Sequence, residues 1–307
     1  MTEIPEDVQT LTSEREERRR ERDFAAADEL RDRVEALGYR IVDTPEGPRP
    51  EPIVGGVHRL QPNEVVSVLD EPATAQFSVQ WVLQGWPEDV KRGAESFRSY
   101  GGGSDLQCVV VDATGEEDPA EWPEGVEVVP LARDFGWATD RNAGLKRAAG
   151  SIVVVVDGSV EATGDVFGPL AEALADPTVG IAGPFGITTP DLQHFHESEG
   201  PDVDAIEGYL MAFRRDVLGT AGLFDERFKF YRTADIEYSF RVKDTGRSAK
   251  VVPLPVTKHE HRMWANTPQP ERDKLSKRNF YLFLDRYRGR LDLCVAPEEA
   301  KGRNPTD

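Results

Sequence analysis

Four carboxylates, an arginine and two histidines stand where this sequence could do chemistry. Asp112 and Asp157 each follow an apolar run, over residues 106–111 and 151–156, that reads as a buried strand. Carboxylates at such strand ends face the crevice where open α/β sheets bind ligands. Their oxygens accept N–H and O–H bonds or hold hard cations. Asp112 can equally be a turn residue. Arg141 and Asn142 open a predicted helix. The cation suits an anionic ligand, although a solvated arginine and an N-capping asparagine have the same signature. Asp235 and Glu237 lie on a predicted helix over 234–244. Either could take a proton from an attacking hydroxyl, and both fit a plain amphipathic helix. His259 and His261 follow a strand at alternating positions, so they point to opposite sides and only one can serve a given site. His194, His196 and Glu197 share a polar loop without a third ligand at set spacing, which favours a ligand-contacting loop over a metal site. Trp137 and Trp264 suit stacking on a ring or a place in the core.

The elements that must position these residues alternate. Strands are predicted over 77–83, 106–111, 126–130, 151–156 and 179–187, with helices over 87–99, 141–149 and 165–175. That order implies an α/β protein with a mostly parallel, doubly wound sheet. From Ala205 the order is irregular: strands over 206–214 and 250–256, helices over 234–244 and 272–288. Ahead of this region, Ser13 and Glu16 form a capping-box pattern. Phe24, Ala27, Leu30, Val34 and Leu37 then recur at helical spacing, and Gly38 is placed to stop the helix. Residues 43–52 hold four prolines and a glycine and read as a linker. The expected division is a helical appendage with linker over 1–50 and a main domain over 51–307.

Acidic residues outnumber basic ones 56 to 37 in 307 residues, a formal charge of −19. Such a field repels nucleic acid and anionic membrane surfaces, and favours solubility. Cys108 and Cys294 match no metal or redox spacing. The longest aliphatic run, 152–156, is too short to span a bilayer, and the acidic N-terminus is unlike a signal peptide. A soluble, cytoplasmic protein is expected.

Six blocks, in order, resemble family 2 glycosyltransferases: SVQWVLQGWPEDVKRGAESF, LQCVVVDATGEED, RNAGLKRAAGSIVVVVDGSV, EGYLMAFRRDVLGTAGLFDERFKFY, ADIEYSFRVKDTG and KVVPLPVTKHEH. The resemblance implies a GT-A fold and inverting transfer of a sugar from a nucleotide diphosphate donor to a glycan or other hydroxyl acceptor. It assigns Asp112 to the nucleotide base or ribose, Arg141 to the diphosphate and Asp157 to the donor or its metal. Asp235 becomes the base, with Glu237 its rival, and His259 is preferred over His261 as the histidine beside metal or diphosphate. Three departures stand out. Ser159 replaces the second acid of the Asp-x-Asp signature, Ala234 replaces the acid before Asp235, and one extra residue follows Tyr231. A divalent cation, Mg²⁺ or Mn²⁺, is therefore expected to bind measurably only with the nucleotide diphosphate present. The departures also fit a degenerate binding protein of the same fold.

The segment RERDFAAADELRDRVEALGYRIVDTPEGPR resembles the C-terminal tail of cysteinyl-tRNA synthetases. That enzyme's zinc-binding and nucleotide-binding signatures are absent from this sequence, which excludes aminoacylation. The arginines of this stretch are matched by acids, so it reads as a docking or oligomerisation helix rather than an RNA-contacting one, the remaining alternative.

Overall fold

A computed structural model describes residues 4–44, 47–52, 58–101, 105–116 and 120–297. It contains two compact units, residues 1–57 with 117–119, and residues 58–116 with 120–307.

The first unit has α1 (Glu6–Arg20), α2 (Phe24–Ala36), β1 (Tyr39–Thr44) and β2 (Gly47–Pro52). Two helices stand where the sequence suggested one. Arg22 takes a left-handed turn at φ 62°, and Asp23 accepts the Ala26 N–H at 3.2 Å as α2 begins. Ser13 lies inside α1 and donates back to the Gln9 carbonyl instead of capping. Val8 and Leu11 pack on Leu30 and Val34, whereas Phe24 and Leu37 are exposed. The proline-rich stretch is not a linker over its described part: β2 pairs antiparallel with β1, Pro48, Pro50 and Pro52 standing opposite Asp43, Ile41 and Tyr39. Prolines at every second position send their missing N–H groups to one side, so the residues between them can keep the ladder.

The second unit begins with β3 (Ala75–Leu83), α3 (Pro87–Tyr100), β4 (Leu106–Asp112), β5 (Val126–Pro130), α4 (Trp137–Lys146), β6 (Gly150–Val156), β7 (Val160–Ala162) and α5 (Phe167–Ala175). Then come β8 (Val179–Gly183), β9 (Gly186–Thr188), β10 (His196–Ser198), β11 (Asp202–Val203), β12 (Ala205–Ile206), β13 (Leu210–Arg214) and α6 (Val217–Thr220). It ends with α7 (Ala234–Lys243), β14 (Ser248–Val251), β15 (Val256–Lys258), α8 (Arg262–Asn266) and α9 (Gln269–Tyr287). The central sheet has eight strands in the order β11-β14-β8-β13-β6-β3-β4-β5. Strands β6, β3, β4 and β5 run parallel to their neighbours in that series, while β13 is antiparallel to both β6 and β8.

Alternation along the strands supplies both faces with apolar side chains. Ile152, Val154 and Val156 join Phe77, Val79 and Trp81 beneath α3 and α5. Val153 and Val155 join Met211 and Phe213 beneath α4 and α7. Helix α9 packs Phe283, Leu284 and Tyr287 on Ile236 and Phe240 of α7. This sheet with helices on both faces is the α/β class expected. Since each unit has its own buried cluster, residues 58–307 expressed alone should fold. A fluorescence melt of that fragment checks this. Insolubility, or a melt far below that of the whole chain, would show that the two units do not fold independently.

Candidate active site

Asp157 directly follows β6, and the sheet register fixes its backbone through the 2.9 Å bond from its N–H to the Tyr209 carbonyl. Its Oδ1 accepts from the Ser159 N–H at 2.9 Å and the Ser159 hydroxyl at 2.6 Å. Its Oδ2 faces Arg141 Nη2 at 3.7 Å and His261 Nε2 at 3.5 Å. The histidine arrives because β15 pairs antiparallel with β7 and the His259 N–H reaches the Ser159 carbonyl at 2.7 Å. His261 Nδ1 accepts the Trp264 N–H at 3.1 Å as it caps α8. In the neutral ring the proton therefore sits on Nε2, towards Asp157. His259 goes elsewhere, its Nε2 lying 2.7 Å from Glu161. Of the two histidines the structure places His261, not the expected His259, against Asp157.

Arg141 is not at a helix start. Helix α4 begins four residues earlier, at Trp137, and buries Arg141 to 3% exposure. Its guanidinium lies over the Trp137 ring at 4.3 Å, and among the described residues its Nε and Nη1 find no hydrogen-bond partner. Burial lowers its pKa, and Asp157, Asp140 and Asp235 oppose that shift. Asn142 is likewise no cap: its side chain bonds the Phe224 carbonyl and N–H, each at 2.9 Å. Asp140 is buried beside Asp134, and burial with that neighbouring acid pushes its carboxyl up to about 7.

Asp235 sits in the first turn of α7, after a left-handed Thr233. One oxygen accepts the Gly208 N–H at 2.8 Å and the other its neighbour's, Ile236, at 2.9 Å. Among the described residues no cation pairs with it. Burial pushes its pKa up to about 6; the two backbone N–H groups oppose this and Glu207 adds to it. Its rival, Glu237, is buried in ion pairs with Arg241 at 3.0 Å and Arg286 at 2.9 Å, which occupy both of its oxygens.

A cleft of about 500 Å³ brings Asp157, Asp235 and His261 together with Tyr209, Tyr231 and Arg232. Trp137, His196 and Glu197 also line it, while His194 pairs with Asp191 at 2.7 Å. Trp264 packs between arginines, Arg272 at 4.3 Å and Arg232 at 5.5 Å from its ring. Arg141 lines a smaller adjoining recess with Asp157, Ser159, His261 and Arg262. Asp112 lines neither. It is wholly buried, its Oδ2 bonded to Arg59 at 3.0 Å and its Oδ1 to the Thr114 N–H and hydroxyl. Tyr209 and Tyr231, whose rings flank His261 at 5.7 and 4.6 Å, were not singled out by the sequence; their only signal was a place in the fourth block.

The donor set at Asp157 does not suit a divalent ion. Ser159 fills one carboxylate oxygen, and a guanidinium and a ring N–H face the other. Among the described residues no three histidine, cysteine or acidic side chains gather into a metal-binding group. Hard dications need several oxygen ligands free of competing cations.

Residues 102–233 match the family described as glycosyl transferase family 2. The matched span holds Asp112, Arg141 and Asp157 and stops two residues short of Asp235. A crystal structure of GalNAc-T7 with UDP, GalNAc and Mn²⁺ superposes with a TM-score of 0.54 at 17% identity, covering 69% of this chain and 48% of that one. The mannosyltransferase PcManGT from Pyrobaculum calidifontis, in complex with GDP-Man and Mn²⁺, gives 0.47 at 18% identity over 71% of this chain and 72% of that one. The fold is GT-A. Residues 1–47 match the cysteinyl-tRNA ligase anticodon binding domain. Over 46 residues the chain is 48% identical to cysteine–tRNA ligase 1 of Burkholderia lata, covering 15% of this chain and 10% of that protein. The chain thus spans about a tenth of the curated relatives it matches. No helix among the described residues is long and apolar enough to cross a membrane.

Proposed function

We propose that the second unit is an inverting glycosyltransferase using a nucleotide diphosphate sugar, with Asp235 as its base. The observation that carries this reading is a buried carboxyl in the cleft, without a cationic partner among the described residues and raised to about 6, whereas Glu237 is held in ion pairs with two arginines. An ionised carboxylate without a cationic partner is basic enough to accept a proton near neutral pH. The acceptor hydroxyl oxygen attacks the anomeric carbon, and its proton passes to an Asp235 oxygen. The bond from that carbon to the diphosphate breaks as the new one forms on the opposite face. Positive charge builds on the sugar ring in the transition state, and the departing diphosphate carries away the electron pair. The aromatic rings of Tyr209 and Tyr231, with Trp137, would bound the sugar.

Donor consumption measured over a panel of nucleotide sugars tests this reading; a chain that binds donors but turns none over would instead be a degenerate binding protein. The base also fixes a pH profile. Asp235 must be ionised, so turnover should be level above its raised pKa of about 6. Below that it should fall roughly tenfold per pH unit. A profile flat down to the ordinary aspartate range would assign the proton to another group.

A further inference from the structure

Resting on the donor reading above, we infer that the site around Asp157 holds the nucleotide diphosphate without a divalent cation, the positive charge that a metal would supply coming from Arg141, with the His261 N–H beside it. The geometry at Asp157 carries it. In a metal-dependent site the strand-end acid offers free oxygens to the ion. Here one oxygen is consumed by Ser159, at 2.9 and 2.6 Å. The other already faces a guanidinium at 3.7 Å and an imidazole N–H at 3.5 Å. A dication placed on Asp157 would lie beside a buried, fixed positive charge in a region of low dielectric, where like charges repel strongly. His261 cannot readily relieve this. Turning Nε2 into a ligand requires moving its proton to Nδ1, which already accepts the Trp264 N–H.

The same features favour an anion. Arg141 is 3% exposed and carries two N–H-bearing nitrogens without acceptors among the described residues, a costly state for a buried cation. It lines the recess beside Asp157, where Arg262 lies too. Asp89 and Glu260 also line that recess. Asp89 is paired with Arg92 at 2.9 Å and Arg262 at 3.0 Å, and Arg262, held by Glu88 as well at 2.6 Å, is itself already neutralised, which leaves Arg141 as the charge that faces the phosphates. Asp157 then acts as a positioning residue, holding the guanidinium and the ring N–H towards the phosphates.

Calorimetry of the whole chain with UDP, GDP and inorganic pyrophosphate, once in EDTA and once in Mn²⁺, tests this. At least one nucleoside diphosphate should bind with Kd equal within about threefold in the two buffers, a difference under 1 kcal/mol. Arg141→Met should weaken binding in EDTA by about tenfold or more, and Arg141→Lys, which keeps the charge, by less. Ser159→Asp should create metal dependence, Mn²⁺ now tightening the nucleotide by about tenfold. The wild-type comparison needs no variant to fold. Wild-type binding that is tenfold tighter in Mn²⁺, or seen only there, overturns the inference while leaving the donor reading intact. So does an Arg141→Met chain that binds like wild type. Binding of no nucleoside diphosphate in either buffer removes the donor reading, and this inference with it.

Discussion

Asp235→Asn is expected to lower turnover by about 10²-fold or more, the scale of a lost general base, while leaving nucleotide binding within a few-fold of wild type. Asparagine keeps the size of the side chain and one oxygen to accept the Gly208 N–H at 2.8 Å, but it takes no proton. The same substitution should stabilise the protein. A carboxyl whose folded pKa is raised to about 6, above its unfolded value, opposes folding once it ionises. That penalty is fully present above pH 6 and fades as pH falls through 6 towards 4. Removing the charge should therefore raise stability at pH 7 by about 1–3 kcal/mol, and the gain should vanish near pH 4. Loss of activity with gain of stability is the pattern of an acid strained for chemistry. A variant both inactive and less stable would give Asp235 a structural role instead.

Glu237→Ala should do the reverse. Glu237 is 1% exposed and bridges Arg241 of α7 to Arg286 of α9, at 3.0 and 2.9 Å. Removing it leaves Arg241 buried with a lost partner and opens the seam between the two helices. Breaking a buried pair from one side costs about 3–5 kcal/mol, readable as a lower urea midpoint. Below the unfolding transition, turnover per folded molecule should stay within a few-fold of wild type. A stable but inactive Glu237→Ala chain would transfer the base role to Glu237 and undo the assignment of Asp235.

The strands of the central sheet were legible because aliphatic runs such as 152–156 are both buried and β-branched. Helix α4 was read four residues late for a physical reason. All of Trp137–Leu145 is buried, so the helix has no polar face to give it a period, and Gly136 caps it without a side-chain bond. Arg141 thus looked like a helix-opening surface residue when it is a buried charge. The choice between His259 and His261 hangs on the β7–β15 register, a pairing across about a hundred residues that local pattern does not reveal. Asp112 stood correctly at a strand end, yet its partner Arg59 lies 53 residues away. In the first unit, proline composition concealed a strand because the alternation of the prolines, rather than their number, decides whether a ladder survives.

If the acceptor oxygen displaces the diphosphate directly while Asp235 takes the proton, the configuration of the released sugar records it. Proton NMR can follow the first-formed sugar when the wild-type chain is given α-linked UDP- and GDP-sugars, with water as the slow acceptor. Direct displacement requires the β-anomer to appear first and to equilibrate only later, and Asp235→Asn to suppress its appearance by about 10²-fold. Initial release of the α-anomer, or a β-anomer produced equally fast by Asp235→Asn, would contradict the account.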